Sequence, residues 1–225
     1  MTSLTTRYKK AAPILAAAAI GALIGAVASI SRDPAKVASR IQPLWIPFTL
    51  YAFFFSYWAI AARNSAPVQR SESRVSSLIH QILLNISILF LFARIPGLAG
   101  RWLPLEPIFP PLGIAIESAS IVLAIWARQH LGRNWSAEIT AKVDHQLIRT
   151  GPYRRLRHPI YTAMFGMHIG IALASGEWHA LVAVLLLTIA YFRKIRMEEK
   201  NLQEVFGDRY DAYRQDSWAL IPGLL

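Results

Sequence analysis

The sequence predicts an all-α, polytopic membrane protein of about six transmembrane helices with a C-terminal interfacial helix. Three observations predict it. Of the 225 residues, 54% are apolar and only 16% charged, and mean hydropathy is +0.35, whereas about a quarter of a soluble domain is charged. The apolar residues fall in long uncharged blocks, not in the one-sided stripes of a water-soluble helix. Those blocks approach the roughly 20 residues a helix needs to cross a ~30 Å hydrocarbon layer.

The first block, Ala11 to Ser31, follows Arg7, Lys9 and Lys10. It also fits a cleaved signal peptide with a cleavage region near Val27 to Ser29, but its run exceeds a signal core of about 7 to 15 residues, which favours a retained span. The second block, about Leu44 to Ala62, carries Trp45, Tyr51, Tyr57 and Trp58 as interface anchors. The third covers about Ser77 to Ile95 and ends at the Ile95-Pro96-Gly97 turn. The fourth, about Ile108 to Ala127, carries Glu117 near its middle. Arg128 to His158 is too charged for hydrocarbon and forms the one sizeable loop. Spans at about Pro159 to Ser175 and Trp178 to Tyr191 make a hairpin turned at Ser175-Gly176-Glu177. In the closing segment, Arg193 to Tyr213, Leu202, Val205, Phe206, Tyr210 and Tyr213 lie roughly on one helical face, which predicts a helix lying on the membrane surface or against the hairpin.

Loop cations set the orientation. Arg128, Arg133, Lys142, Arg149, Arg154, Arg155 and Arg157, with Arg193, Lys194, Arg196 and Lys200, place the large loop and the tail on the cytoplasmic side of what is expected to be a bacterial inner membrane. Arg32, Lys36 and Arg40 would then lie outside, against the rule. The net charge of +11 is assigned to loops facing anionic lipid, not to nucleic acid. The absence of cysteine excludes disulfides, Cys-ligated zinc and thiol nucleophiles. His80 and His168 have no partner at metal-ligand spacing, so no metal site is expected. No obligate protein partner is evident. Trp135 and Trp178 read as interface anchors, and Glu117 as either a polar-path candidate or a packed, protonated acid.

Two polar clusters carry the candidate chemistry. The loop ends in HQLIRTGPYRRLRHPIYTAMFG, dense in His, Tyr, Pro and Gly immediately before a span. Pro159 suits the first turn of a helix, whose N–H groups have no intrahelical acceptor; His158 and Tyr161, three apart, then share a face at a helix mouth able to hold a carboxylate. A positively charged stop with interfacial tyrosines is an equally good reading of these residues alone. The second cluster, Arg193 to Glu199, returns to the same membrane face because the last two spans form a hairpin. For Arg193 and Glu199 individually, a solvated helix end is the better reading.

The combined pattern H-x-L-x-x-x-G-P-Y-x-x-x-R-H-P-x-Y, then E-E about 36 residues on, then F-G-x-x-Y-x-x-Y, resembles the isoprenylcysteine carboxyl methyltransferase family and its phospholipid methyltransferase relatives. It is carried by His145, Leu147, Gly151, Pro152, Tyr153, Arg157, His158, Pro159, Tyr161, Glu198, Glu199, Phe206, Gly207, Tyr210 and Tyr213. The resemblance covers roughly Leu131 to Pro222 and divides the chain into motif-free helices over 1–107 and a methyltransferase core over 108–225. It implies S-adenosylmethionine as cofactor at the cytoplasmic face and a lipidic or prenylated acceptor drawn from the membrane lipid. It implies cofactor contacts from His145, Gln146, Leu147, Ile148, Tyr153, His158, Pro159, Ile160, Tyr161 and Glu198. Lys194 stands where the prenylcysteine enzymes carry an Arg thought to meet the substrate carboxylate, with Arg193 and Arg196 as neighbouring alternatives; a Lys lacks the bidentate fork. Glu138 or Thr140 matches a polar position upstream of H-x-L.

Methyl transfer from a sulfonium to a carboxylate joins a cation and an anion to give neutral products, so a desolvated site favours it and no general base is required. In-line positioning is then the main task. An amine acceptor must first lose a proton, which would give His158 a catalytic role as base. The rival readings are a phospholipid amine N-methyltransferase, an NADPH-dependent sterol-type reductase and a non-enzymatic transporter or scaffold. The last conflicts with a polar cluster at one face instead of mid-bilayer.

Overall fold

The computed structural model describes residues 34–63, 68–71, 73–93, 95–135, 140–142 and 146–223, with the backbone alone for 34–43, 68–71, 133 and 140–142. The predicted first span, Ala11 to Ser31, lies outside the described residues, as do Glu138 and His145. Among the described residues, six helices follow in order: α1 (Pro34–Ala61), α2 (Arg74–Phe92), α3 (Phe109–Leu131), α4 (Pro159–Ser175), α5 (Trp178–Phe206) and α6 (Asp208–Gln215). Two short strands, β1 (Val68–Ser71) and β2 (Thr140–Lys142), pair antiparallel and tie the α1–α2 connection to the large loop. The sequence pattern contained no strand signal. Such a short ribbon is held by its tertiary setting, not by β-propensity.

Among the described residues, three helical stretches have the length and hydropathy to cross a membrane: Leu44–Ala61, Arg74–Phe92 and Phe109–Leu131. Helix α4 is apolar but shorter, with 17 residues. The predicted hairpin is present, and α4 spans the predicted residues because Pro159 opens it and Gly176 closes it, left-handed at φ 61, with its N–H on the Ala172 carbonyl. Two boundaries differ from expectation. The stretch read as an outer loop is helical from Pro34, so Lys36 and Arg40 begin α1. The segment read as a closing helix over Arg193 to Tyr213 is, as far as Phe206, the unbroken continuation of α5, which runs 29 residues. Nothing between Tyr191 and Arg193 interrupts the backbone; the break comes at Gly207, left-handed at φ 53. Only the eight residues of α6 form a distinct terminal helix. At ~1.5 Å per residue α5 is roughly 43 Å long, enough to carry its charged second half beyond the apolar layer.

Helices α3 and α4 make the most extensive contact, and α2 lies along α5. The α3–α4 approach is close because small residues line it: a Cβ on Gly113 would overlap the Gly170 carbonyl, and one on Gly166 would overlap the Ser120 hydroxyl. Between α2 and α5, Ser87 donates to the Ala183 carbonyl at 2.7 Å. Tyr51, Phe54, Leu91, Ile121, Met167, Ile171, Leu187 and Tyr191 fill the common core. Trp45, Phe53, Ile60, Leu78, Ile82 and Leu89 point outward, exposed, as suits side chains facing lipid. The chain is a multi-pass membrane protein.

Candidate active site

The site is built where the start of α4 meets the charged half of α5. Gly151, with φ +57, sits against the His130 ring, where a Cβ would overlap it, and starts a tight 3₁₀ turn through Arg154. This turn buries Pro152 and Tyr153. Ile148 packs on the cluster formed by Ala127, Trp135, Tyr153 and Ile160, so the loop and the α4 entry share one apolar floor. Burial pushes the Tyr153 phenol well above its ordinary range, and the nearby Glu198 charge adds to the effect.

On that floor the imidazole of His158 stacks on Tyr161, with ring centroids 5.4 Å apart and planes 9° from parallel. The Tyr161 hydroxyl donates to Glu198 Oε2 at 2.7 Å. His158 Nδ1 stands 3.8 Å from that same oxygen, and its Nε2 is 3.3 Å from Glu199 Oε1. Arg157 Nε donates to Glu199 Oε1 at 2.8 Å. Burial of Glu199 opposes its charge, but the hydrogen bonds from His158 and Arg157 outweigh it and hold the carboxyl at about 2.

A strand-like strap from the carboxyl terminus fixes the turn. Arg157 N–H donates to the Trp218 carbonyl at 2.8 Å, His158 N–H to the Ala219 carbonyl at 3.1 Å, and Trp218 N–H to the Arg155 carbonyl at 2.9 Å. The Thr162 hydroxyl donates to Leu220 O at 2.7 Å, and Arg157 also donates to the Ser217 carbonyl. From α6, the buried Tyr213 hydroxyl donates to the carbonyls of Tyr153 at 2.6 Å and Leu156 at 3.2 Å. Its phenol is pushed up to about 12, chiefly by burial. These bonds satisfy the amide groups around a helix entry that lacks a side-chain cap.

Of the residues expected at the site, Tyr153, His158, Pro159, Ile160, Tyr161 and Glu198 come together. Leu147 and Ile148 are half-buried and Gln146 is exposed at the loop margin. Lys194 is buried, 7% exposed, one turn before Glu198 on α5. Arg193 turns away to α2, donating to the Ser76 hydroxyl at 2.7 Å, and Arg196 is exposed. Glu117 is fully buried beside Gly170, inside the helix packing and apart from the cluster. The role of Glu199 is corrected: read as an ordinary solvated helix end, it is the acceptor that joins Arg157 to His158. The strap and Tyr213 were missed as positioning elements. Tyr213 had a signal in the F-G-x-x-Y-x-x-Y spacing, whereas the strap residues carry none.

Residues 110–209 match the phospholipid methyltransferase family. Protein-S-isoprenylcysteine O-methyltransferase of Schizosaccharomyces pombe is 30% identical over 114 residues, covering 49% of this chain and 45% of that protein; the match thus spans a little under half of that enzyme's length. Methanethiol S-methyltransferase 1 of Bradyrhizobium diazoefficiens is 25% identical over 231 residues, covering 91% of this chain and 75% of that one. The solved structure of a eukaryotic intramembrane Ras methyltransferase, isoprenylcysteine carboxyl methyltransferase, superposes with a TM-score of 0.57 at 21% identity, covering 91% of this chain and 74% of that one, a likeness of fold. Over residues 110–209 the chain is thus similar to the phospholipid methyltransferases, and over 49% of its length to an isoprenylcysteine O-methyltransferase.

Proposed function

We propose that this protein transfers a methyl group from S-adenosylmethionine to the carboxylate of a lipidic acceptor at the cytoplasmic face of a bacterial inner membrane. The observation that carries the reading is the convergence of His158, Tyr161 and Glu198 from two sequence-distant helices, one helical turn from the buried Lys194. Residues 108–225 form the unit that holds cofactor and reacting groups.

The donor set fits this cofactor. An α-ammonium group calls for carboxylate oxygens, and Glu198 and Glu199 stand side by side at the cluster. A nucleoside calls for an apolar and aromatic floor, which Ile148, Tyr153 and Ile160 provide. His145, Gln146, Leu147 and Pro159 complete the proposed contacts. When bound, S-adenosylmethionine supplies the methyl group as a sulfonium; transfer to a carboxylate oxygen breaks the C–S bond and leaves a thioether and a methyl ester. The chain's own part is positional. Glu199 and the tail strap hold His158 against Tyr161, Tyr161 holds Glu198 by its hydroxyl, and the buried Lys194 ammonium pairs with the acceptor carboxylate. With such an acceptor, His158 orients the site and takes no part in proton transfer.

A small thiol is the second reading, favoured by the methanethiol methyltransferase relative, whose alignment reaches through the amino-terminal helices. Calorimetry with S-adenosylhomocysteine on the purified full chain tests the cofactor half: binding is expected, and Glu198→Ala greatly weakens it. No binding by the wild-type protein overturns the methyltransferase reading. Labelled methyl transfer to a prenylcysteine, a fatty acid, phosphatidylethanolamine and an alkyl thiol then separates the acceptor classes, and label in the amine or thiol alone overturns the carboxylate assignment.

A further inference from the structure

The carboxyl-terminal strap runs in the same direction as the chain it pins. Leu156 and Trp218 pair as a parallel bridge, and the bonds then advance in step. Trp218 N–H donates to the Arg155 carbonyl, the Arg157 and His158 amides donate to the carbonyls of Trp218 and Ala219, and the Thr162 hydroxyl donates to Leu220 O. Thr162 belongs to the opening turn of α4, about 6 Å beyond His158 at ~1.5 Å per residue. The strap therefore leaves the polar loop and follows the apolar helix inward. Its side chains divide between two faces. Ser217 and Leu220 are buried, whereas Trp218 and Ile221 turn outward, 46% and 48% exposed. From Trp218 onward the sequence, WALIPGLL, carries no charged side chain. Beside it, Arg154 and Arg155 are exposed and form no ion pair among the described residues.

Single apolar side chains on a surface are ordinary, but this pair follows one strap along the entry of an apolar helix, next to two cations. An indole suits the headgroup boundary of a bilayer because its ring is apolar and its N–H polar, and guanidinium groups pair with lipid phosphates. We propose that the strap is an interaction surface for anionic lipid: Trp218 and Ile221 enter the headgroup boundary beside α4, Arg154 and Arg155 take phosphates of the same leaflet, and this docking holds the strap carbonyls on the Arg157 and His158 amides. Lipid contact thereby fixes the turn that presents His158 to Glu199, so lipid docking and cofactor binding strengthen one another by the same factor. The inference rests on the methyltransferase reading for the cofactor's part, but the docking itself is testable without it.

The test uses the full-length protein in nanodiscs. Because the chain has no cysteine, Ile221→Cys takes a single environment-sensitive fluorophore. Lipid spin-labelled near its headgroup should quench it and aqueous iodide should not; quenching by iodide without quenching by lipid overturns the inference. If that variant does not fold, brominated-lipid quenching of intrinsic fluorescence, wild type against Trp218→Phe, reads the same contact. S-adenosylhomocysteine affinity is then measured in discs of phosphatidylcholine alone and in discs enriched in phosphatidylglycerol. The wild type should bind at least about fivefold more tightly with the anionic lipid. The double variant Arg154→Gln, Arg155→Gln should reduce that gain to under about twofold while matching wild type in phosphatidylcholine. Trp218→Ser should weaken binding by at least about threefold in both lipids, and Trp218→Phe should restore most of it. Glycerol phosphate added to phosphatidylcholine discs should not reproduce the gain; if it does, the cations read a free anion and the lipid assignment falls. An affinity indifferent to lipid, or a double variant that keeps the gain, also overturns the inference. Failure of the wild type to bind S-adenosylhomocysteine in either lipid, with the fluorophore still quenched by lipid, overturns the methyltransferase reading and leaves the docking surface standing.

Discussion

Glu199 Oε1 lies 3.3 Å from His158 Nε2 and 2.8 Å from Arg157 Nε, so one carboxylate oxygen gathers two adjacent loop residues onto a helix 41 residues farther along the chain. The pairs are part-buried, and removing the acid leaves both partners without this acceptor. Glu199→Ala is expected to lower stability by about 2–3 kcal/mol, read as a reduced midpoint in thermal unfolding in detergent. S-adenosylhomocysteine binding should weaken with it as the His158 ring loses its anchor.

The same carboxylate predicts a pH signature. Its folded-state value, about 2, lies below the ordinary 4.5. Stability from this group is therefore fully present above pH 4.5 and is lost as pH falls toward 2. Denaturation midpoints of wild type and Glu199→Gln should differ above that window and converge below it. A difference that persists unchanged at the acid end would contradict the assignment.

The tail strap predicts a local effect. Trp218→Pro removes the N–H that bonds Arg155, and truncation after Asp216 removes every carbonyl that the turn contacts beyond that point. Both should weaken S-adenosylhomocysteine binding by at least about tenfold, a loss of ~1.4 kcal/mol, with helical circular dichroism unchanged.

At the α3–α4 crossing, Gly113→Val and Gly170→Val place side-chain atoms where backbone now sits. Each should destabilise by about 1–3 kcal/mol or more through overpacking, measured as a lower unfolding midpoint. Gly132→Ala is a useful contrast. There, a Cβ meets nothing within 4 Å, although φ is +50°, so any cost comes from backbone conformation alone.

Orientation is open to direct labelling, because the chain has no cysteine. Single cysteines at the exposed Arg154 and Glu106 should react with an impermeant maleimide from opposite sides of the membrane, Arg154 from the cytoplasm.

Much of this protein was written in local pattern. Uncharged apolar runs specify spans because hydrocarbon tolerates no unpaired backbone, and Pro159 and Gly176 set the ends of α4 because one lacks an N–H and the other accepts a left-handed φ. The R-H-P-x-Y and E-E spacing named the residues that meet where α4 opens against α5. What the sequence left open depends on which helices lie side by side. No local signal says that α5 continues through its charged stretch to Gly207, because a helix leaving the membrane and a helix lying on it share the same periodicity. Nor does any say that Glu199 faces His158 while Arg193 faces Ser76. Those choices come from rotation about the α5 axis, set by its packing on α2 and α4. The strap and the two-strand ribbon are bonded through backbone groups that every residue carries, so side-chain identity does not encode them.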